Sequence, residues 1–227
     1  MSELGHEAIQ VGGALDGLSL AIQPRAKSSY LRTKRCLDIA ITIVVAPAAL
    51  AIIVIAALLV SLDGGRAFYG QQRVGRNGRT FTIWKLRTMH QNAAEMLEKH
   101  LLEDPEALLE WNTHQKLRQD PRVTTVGRYL RKYSIDELPQ LANVVLGEMS
   151  IVGPRPMLPS QRSQYPGTAY YNLRPGLTGM WQVSERHSSS FAERANYDNK
   201  YAASISLGTD LGLMVRTARV VLHGTGV

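Results

Sequence analysis

The sequence predicts an α/β fold, mainly helical with a small sheet, anchored by an N-terminal helix that dips into a membrane. Three observations predict it. A charge-free apolar row runs from Ile39 to Val60 and contains Pro47, two extended runs flank a Gly75–Gly78 turn, and the second half is punctuated by helix caps and helical spacing. The 227 residues are enough for one core and a tail, and they divide into a flexible N-terminal tail, 1–30, a membrane-helix hairpin, 31–65, and a catalytic body with interfacial helices, 66–227. Lys and Arg outnumber Asp and Glu by 26 to 19, a formal net charge of +7. Such an excess suggests an anionic partner: nucleic acid, an anionic membrane surface or a phosphorylated substrate. With one cysteine, Cys36, an internal disulfide is excluded.

The first 30 residues mix Gly, Ala, Ser and isolated charges without a sustained period and read as a tail. Arg32, Lys34 and Arg35 follow, and then the apolar row. At ~1.5 Å per residue that row reaches ~30 Å, about one hydrocarbon thickness. A core helix or a signal peptide would be the competing readings. A core helix rarely stays apolar on every face for this length, and a signal peptide has a shorter leader. Pro47 removes the hydrogen bond to the carbonyl of Ile43, so a kink or break is expected there. Either a kinked helix spans, or a broken one dips in and returns. Arg66, Arg73, Arg76 and Arg79 after the row match the basic flank before it, which favours both ends staying cytoplasmic and therefore the re-entrant form.

Beyond a turn at Ser61–Gly65, Phe68–Met89 reads as two extended runs, the second from Thr80 to Lys85, and from Arg66 to Met89 there is no acid. Helical spacing covers Asn92–His100. Asp104-Pro105 opens another helix, with Asp as cap and Pro at the first position. Val126–Tyr133 is a short basic helix carrying Arg128, Arg131 and Lys132. In Ser134-Ile135-Asp136-Glu137-Leu138-Pro139, Ser134 and Glu137 have capping-box spacing; alternatively Asp136 is itself the cap. Leu138, Leu141 and Val145 would then form the buried stripe. Two further helices are expected, Phe191–Ala203 and Leu207–Leu222.

Either choice of cap puts Asp136 and Glu137 at the positive end of a helix, which favours ionised carboxylate and attracts phosphate. On position alone they would simply cap the helix. Their surroundings argue for more. Arg131 precedes them, Arg155 follows in a Gly-Pro-Arg-Pro turn, and the acid-free basic stretch lies upstream. Acids among cations suit phosphoryl transfer, in which arginines neutralise phosphate oxygens, a carboxylate attacks phosphorus and a divalent metal lets two anions approach. No Walker loop or dinucleotide fingerprint occurs, the histidines lack metal-ligand spacing, and no recognition helix or base-stacking motif supports a nucleic-acid partner. Asp198, in NYDNKY, would by itself read as a surface acid paired with Lys200 or Arg194.

The runs KRCLDIAITIVVAP, QQRVGRNGRTFTIWKLRTM, LRKYSIDELPQLANVVLGEMSIVGPRP, LRPGLTGMWQV and YDNKY, in that order, resemble the bacterial sugar transferases, the monotopic phosphoglycosyl transferases. The resemblance covers about Leu31 to Leu222 and rests on KLRTM, DELPQL and GPRP together. It implies transfer of a sugar 1-phosphate from a UDP-sugar to undecaprenyl phosphate at the cytoplasmic face of the bacterial inner membrane. This is the first membrane step of exopolysaccharide or other lipid-linked glycan synthesis, and the overall pattern is similar to galactose-1-phosphate-transferring members. It implies a covalent intermediate on Asp136, assistance and a share of Mg2+ (or Mn2+) from Glu137, and phosphate contacts from Lys85, Arg87, Arg131 and Arg155. Asp198 would be an active-site acid and Pro47 the break in the membrane helix. Where the family has Ser-Pro or a similar pair at that break, this chain has Ala46-Pro47. A membrane-anchored phosphohydrolase using the same carboxylates is the alternative.

Overall fold

The computed structural model describes residues 28–114, 117–184 and 191–224. The expected tail, 1–30, lies outside them except for its last three residues, which open the first helix. That helix, α1, runs Ser28–Ser61; it is followed by strand β1, Phe68–Val74, and strand β2, Thr80–Leu86. Three helices come next: α2, Ala93–Glu103, α3, Pro105–His114, and α4, Thr125–Lys132. A 3-10 turn, Ile135–Gln140, leads directly into α5, Leu141–Leu146. Strand β3, Ser150–Val152, precedes another 3-10 turn at Pro159–Gln164, helix α6, Ala169–Asn172, and strand β4, Gly176–Thr178. Helices α7, Arg194–Ser204, and α8, Leu207–Leu222, complete the order.

The described residues are mainly helical, and their strands form two separate two-stranded sheets. Strands β1 and β2 pair antiparallel from Phe68↔Leu86 to Val74↔Thr80 around the expected turn, where Asn77 and Gly78 have positive φ. Strands β3 and β4 pair in parallel, a pairing with no counterpart in the sequence reading because three-residue strands carry too little periodicity. That second sheet needs glycine. A Cβ on Gly176 would stand 2.1 Å from the Gly153 nitrogen, and one on Gly179 would stand 2.0 Å from the Gly153 oxygen. The cap read from sequence at Asp104 forms, accepting from the Glu106 and Ala107 amides at 2.9 and 3.0 Å, and Thr124, not singled out in the sequence, caps α4 by accepting from Gly127 at 2.8 Å.

α1 is continuous through Pro47, which corrects the expectation of an interruption there. One proline removes one intrahelical bond, and the turns on either side keep theirs. At ~1.5 Å per residue the 34 residues extend ~50 Å. A narrow stripe, Lys34, Asp38, Thr42, Ala49, Ala56 and Val60, is buried against the body, while Ile43, Val44, Leu50, Val54, Ile55 and Leu58 are more than half exposed. Exposed apolar surface on that scale marks a membrane or partner contact. Among the described residues, α1 is the one helix long and apolar enough to cross a bilayer.

Both ends of α1 are tied to the same body. At the start, Lys34 Nζ reaches Asp210 at 2.7 Å, Ser150 Oγ and the Ile151 amide donate to Asp38 at 2.7 and 3.0 Å, and Arg35 donates to the carbonyls of Val144 and Val145. At the far end, Ala56 and Val60 pack with Leu86 and Leu130, and Arg87 holds Asp63 and the Val60 carbonyl. The main core joins Phe81 and Ile83 of β2 to Val144, Met149, Ile151, Val152, Tyr201, Ala202 and Leu213. Its packing fixes β2 against the 3-10 turn that carries Asp136.

Candidate active site

The carboxylate pair sits on tight backbone. After α4, Ser134 turns the chain with φ +54°, and the 3-10 turn begins at Ile135. The expected capping box does not form, since the Ser134 side chain caps nothing; the Glu137 amide instead donates to the Ser134 carbonyl at 3.2 Å. A 3-10 turn advances ~120° per residue against ~100° in an α-helix, so a phase read from α periodicity slips. That explains a second correction: Val144 is fully buried, whereas Val145, expected in the stripe, is 52% exposed. The turn also buries Asp136.

Lys85, from β2, stands between the two acids. Its Nζ lies 2.7 Å from Glu137 Oε1 and 3.5 Å from Asp136 Oδ2. Arg155 Nη2 approaches Glu137 Oε1 at 3.5 Å from the opposite side. Arg131 donates from Nε to Thr88 Oγ1 at 2.9 Å, and its charge also acts on Asp136. The two acids therefore differ. Burial raises the Asp136 carboxyl, with the negative charge of Glu137 adding to it and Lys85 and Arg131 opposing it. Burial pushes Glu137 upward too, but Lys85, Arg155 and Arg73 outweigh it and hold its carboxyl down at about 2. Glu137 is thus the tightly paired anion, and Asp136 is the buried, loosely held one.

Of the residues singled out in the sequence, the structure brings Asp136, Glu137, Lys85, Arg131 and Arg155 together. Arg87 goes elsewhere. Its Nε donates to the Arg66 carbonyl, Nη1 to Asp63 and the Met89 carbonyl, and Nη2 to Asp63 and the Val60 carbonyl. All five donors are engaged, so in this arrangement Arg87 is a tether for the end of α1 rather than a phosphate ligand. Asp198 is buried rather than at the surface and accepts from Tyr165 Oη at 2.6 Å, and of the two expected cations Arg194, not Lys200, acts on it. Burial pushes its carboxyl up to about 6, against the pull of the Tyr165 hydrogen bond and of Arg194.

Arg73, Arg194 and Gln182 are not read as site residues from the sequence, and each has a buried atom without a partner. Arg73 is pushed down to about 10, by burial first and then by Arg155, and it donates to the Pro156 carbonyl and to Gln71. Arg194 donates to the Arg155 carbonyl at 2.5 Å and lies 4.9 Å from the ring centres of both Trp181 and Phe191. Among the described residues, the buried side-chain atoms without a partner are Arg73 Nε, Arg194 Nε and both amide atoms of Gln182. Buried polar atoms of this kind ordinarily find partners. The alternation of β1 could have flagged Arg73, but Arg194 and Gln182 lie on segments whose burial no local pattern announces.

No cluster of three or more His, Cys, Asp or Glu that could hold a metal occurs among the described residues. Two adjacent carboxylates nevertheless fit an ion such as Mg2+, which takes one or two carboxylates and completes its shell with water and substrate phosphate. The arrangement as a whole can stabilise a diphosphate, present a carboxylate to phosphorus and hold a second carboxylate ionised beside it.

Comparison with known proteins agrees with this geometry. The family model described as bacterial sugar transferase matches residues 29–224. The chain is 43% identical over 203 residues to the UDP-galactose-lipid carrier transferase of Erwinia amylovora, covering 88% of this chain and 43% of that protein. It is 44% identical over 197 residues to the exopolysaccharide production protein ExoY of Sinorhizobium fredii, covering 86% of this chain and 87% of the relative. It is 36% identical over 200 residues to the UDP-glucose:undecaprenyl-phosphate glucose-1-phosphate transferase of Caulobacter vibrioides, covering 83% and 69%. The chain spans less than half the length of several of the relatives it matches.

Proposed function

The chain belongs to the bacterial sugar transferase family, and from that premise we propose that it moves a sugar 1-phosphate from a UDP-sugar to undecaprenyl phosphate through a covalent intermediate on Asp136. The observation that carries this reading is the unequal carboxylate pair around Lys85, with Arg155 on one acid and the charge of Arg131 on the other.

Lys85, Arg131 and Arg155 offset the charge of the incoming diphosphate, without which carboxylate and phosphate would repel. Asp136 attacks the phosphorus that bears the sugar. The bond from that phosphorus to the bridging oxygen breaks, and UMP leaves with the electron pair. A phosphate oxygen of undecaprenyl phosphate then attacks the same phosphorus, the bond to Asp136 breaks, and its carboxylate is regenerated. Glu137, held ionised, keeps Lys85 in place beside Asp136, and the acceptor attacks through an oxygen that is already ionised. Asp136 and Glu137 would also hold Mg2+ or Mn2+, which would supply neutralisation of the diphosphate; full rate in excess chelator would contradict this. The unpartnered Nε atoms of Arg73 and Arg194 and the Gln182 amide are suited to the polar remainder of the donor.

Both ends of α1 being tied to one body supports the re-entrant course, because an aqueous body cannot hold the two ends of a helix on opposite membrane faces. A continuous helix bent at Pro47, with the body on the cytoplasmic side where UDP-sugars are, meets that requirement. The names of relatives favour a hexose, and galactose first. The test is to supply labelled UDP-galactose, UDP-glucose and other UDP-sugars with undecaprenyl phosphate. Label moving into a solvent-extractable lipid, with UMP released, is expected. Free sugar phosphate formed with no lipid product would replace transfer by hydrolysis.

A further inference from the structure

One cleft lies away from the carboxylate pair. It is a shallow, open cleft between the start of α1, β3, the end of α6 and the β1–β2 turn, and Lys34, Arg35, Asp38, Arg76 and Arg174 line it. Lys85 lies six residues of extended strand from Arg79, next to that turn, a span of roughly 20 Å. The cleft is therefore separate from the site already described.

Its charges are unbalanced. Lys34 is paired with Asp210, and the Asp38 carboxylate accepts from Ser150 Oγ and the Ile151 amide. Among the described residues Arg35, Arg76 and Arg174 make no ion pair, although the charge of Asp38 in the same cleft acts on Arg174. Arg35 is turned to the Val144 and Val145 carbonyls, Arg174 donates from Nε to the Gly147 carbonyl, and Arg76 is exposed on the turn. Burial, and then Arg35 and Arg76, push the Arg174 guanidinium below its ordinary value. Against three arginines the single Asp38 carboxylate, already accepting two hydrogen bonds, leaves an excess of positive charge that an added anion would offset.

Position selects the anion. Arg35 is one helical turn before Ile39, where the charge-free row begins, about 6 Å along the axis. A cleft at that level faces the phosphate layer of any bilayer that receives the row. We propose that Arg35, Arg76 and Arg174 form a binding site for the phosphate of an anionic membrane phospholipid, seated beside the start of α1. The site belongs to membrane attachment, and it stands whether or not the transfer reaction does.

The test uses the full chain in nanodiscs of phosphatidylcholine containing a minor fraction of phosphatidylglycerol, with bound lipid counted by native mass spectrometry after release. Wild type should retain phosphatidylglycerol. Arg76→Gln, at an exposed residue that leaves the packing intact, should weaken retention about fivefold, and adding Arg174→Gln should weaken it by a similar factor again. Arg174→Lys, which keeps the charge, should retain the lipid. Arg118→Gln removes the same charge at a side chain that is 94% exposed, and it should change nothing. Equal retention by wild type and the double variant, or an equal loss in Arg118→Gln, would overturn the proposal. Displacement of the lipid by millimolar inorganic phosphate would overturn it too, because it would make the site one for a soluble anion.

Discussion

Lys85 is the cation on which both acids depend. Its removal leaves two buried carboxylates with Arg155 reaching only one of them. Lys85→Ala should lower kcat by two to three orders of magnitude, as expected for loss of a preorganised charge at a phosphoryl centre, and should destabilise the fold by about 3 kcal/mol. Steady-state kinetics and thermal unfolding in detergent check the two parts. The inequality between the acids makes a second prediction. In the proposed reaction Asp136 must be ionised to attack, and burial favours its protonated form. The rate should therefore fall as pH drops, with a midpoint above the ordinary aspartate range near about 4. A pH profile of kcat with its midpoint at or below that range would remove the proposed role of burial. Glu137 stays ionised throughout, because its carboxyl is held at about 2.

At the level of elements, most of the hairpin and helices were legible because their signals are local. Asp104-Pro105 opened α3, glycine turned β1 into β2, and α8 occupies the expected Leu207–Leu222. The misses have a common cause. The 3-10 turn at Ile135–Gln140 changes the helical phase, so the stripe read through Val145 fails while Asp136 and Glu137, identified by chemistry, remain. Arg87 was legible as a basic residue in KLRTM, but its partner Asp63 lies 24 positions away and only the fold brings them together. A residue with five engaged donors is a structural tie. Arg87→Ala should cost about 3 kcal/mol through lost charged hydrogen bonds and leave the KM for the UDP-sugar near wild type. Thermal unfolding paired with KM measurement checks this, and a large rise in KM without loss of stability would return Arg87 to the phosphate site.

At the scale of the whole molecule, a helix long and apolar enough to cross a bilayer is tied at both ends to the body that carries the carboxylate pair. In a Cys36→Ser background, cysteines at the exposed positions 32 and 66 should be labelled by a membrane-impermeant reagent from the same face. Labelling from opposite faces would replace the re-entrant helix with a span. The chemistry rests on Asp136 bonding to phosphorus, and intact-mass spectrometry reads that bond directly. Protein proven active on a UDP-sugar, then exposed to it without acceptor and quenched in acid, should gain the mass of one glycosyl phosphate. That gain should vanish when undecaprenyl phosphate is added and be absent in Asp136→Asn. Active wild-type protein that shows no added mass at any quench time, or an adduct that persists in Asp136→Asn, would contradict the account.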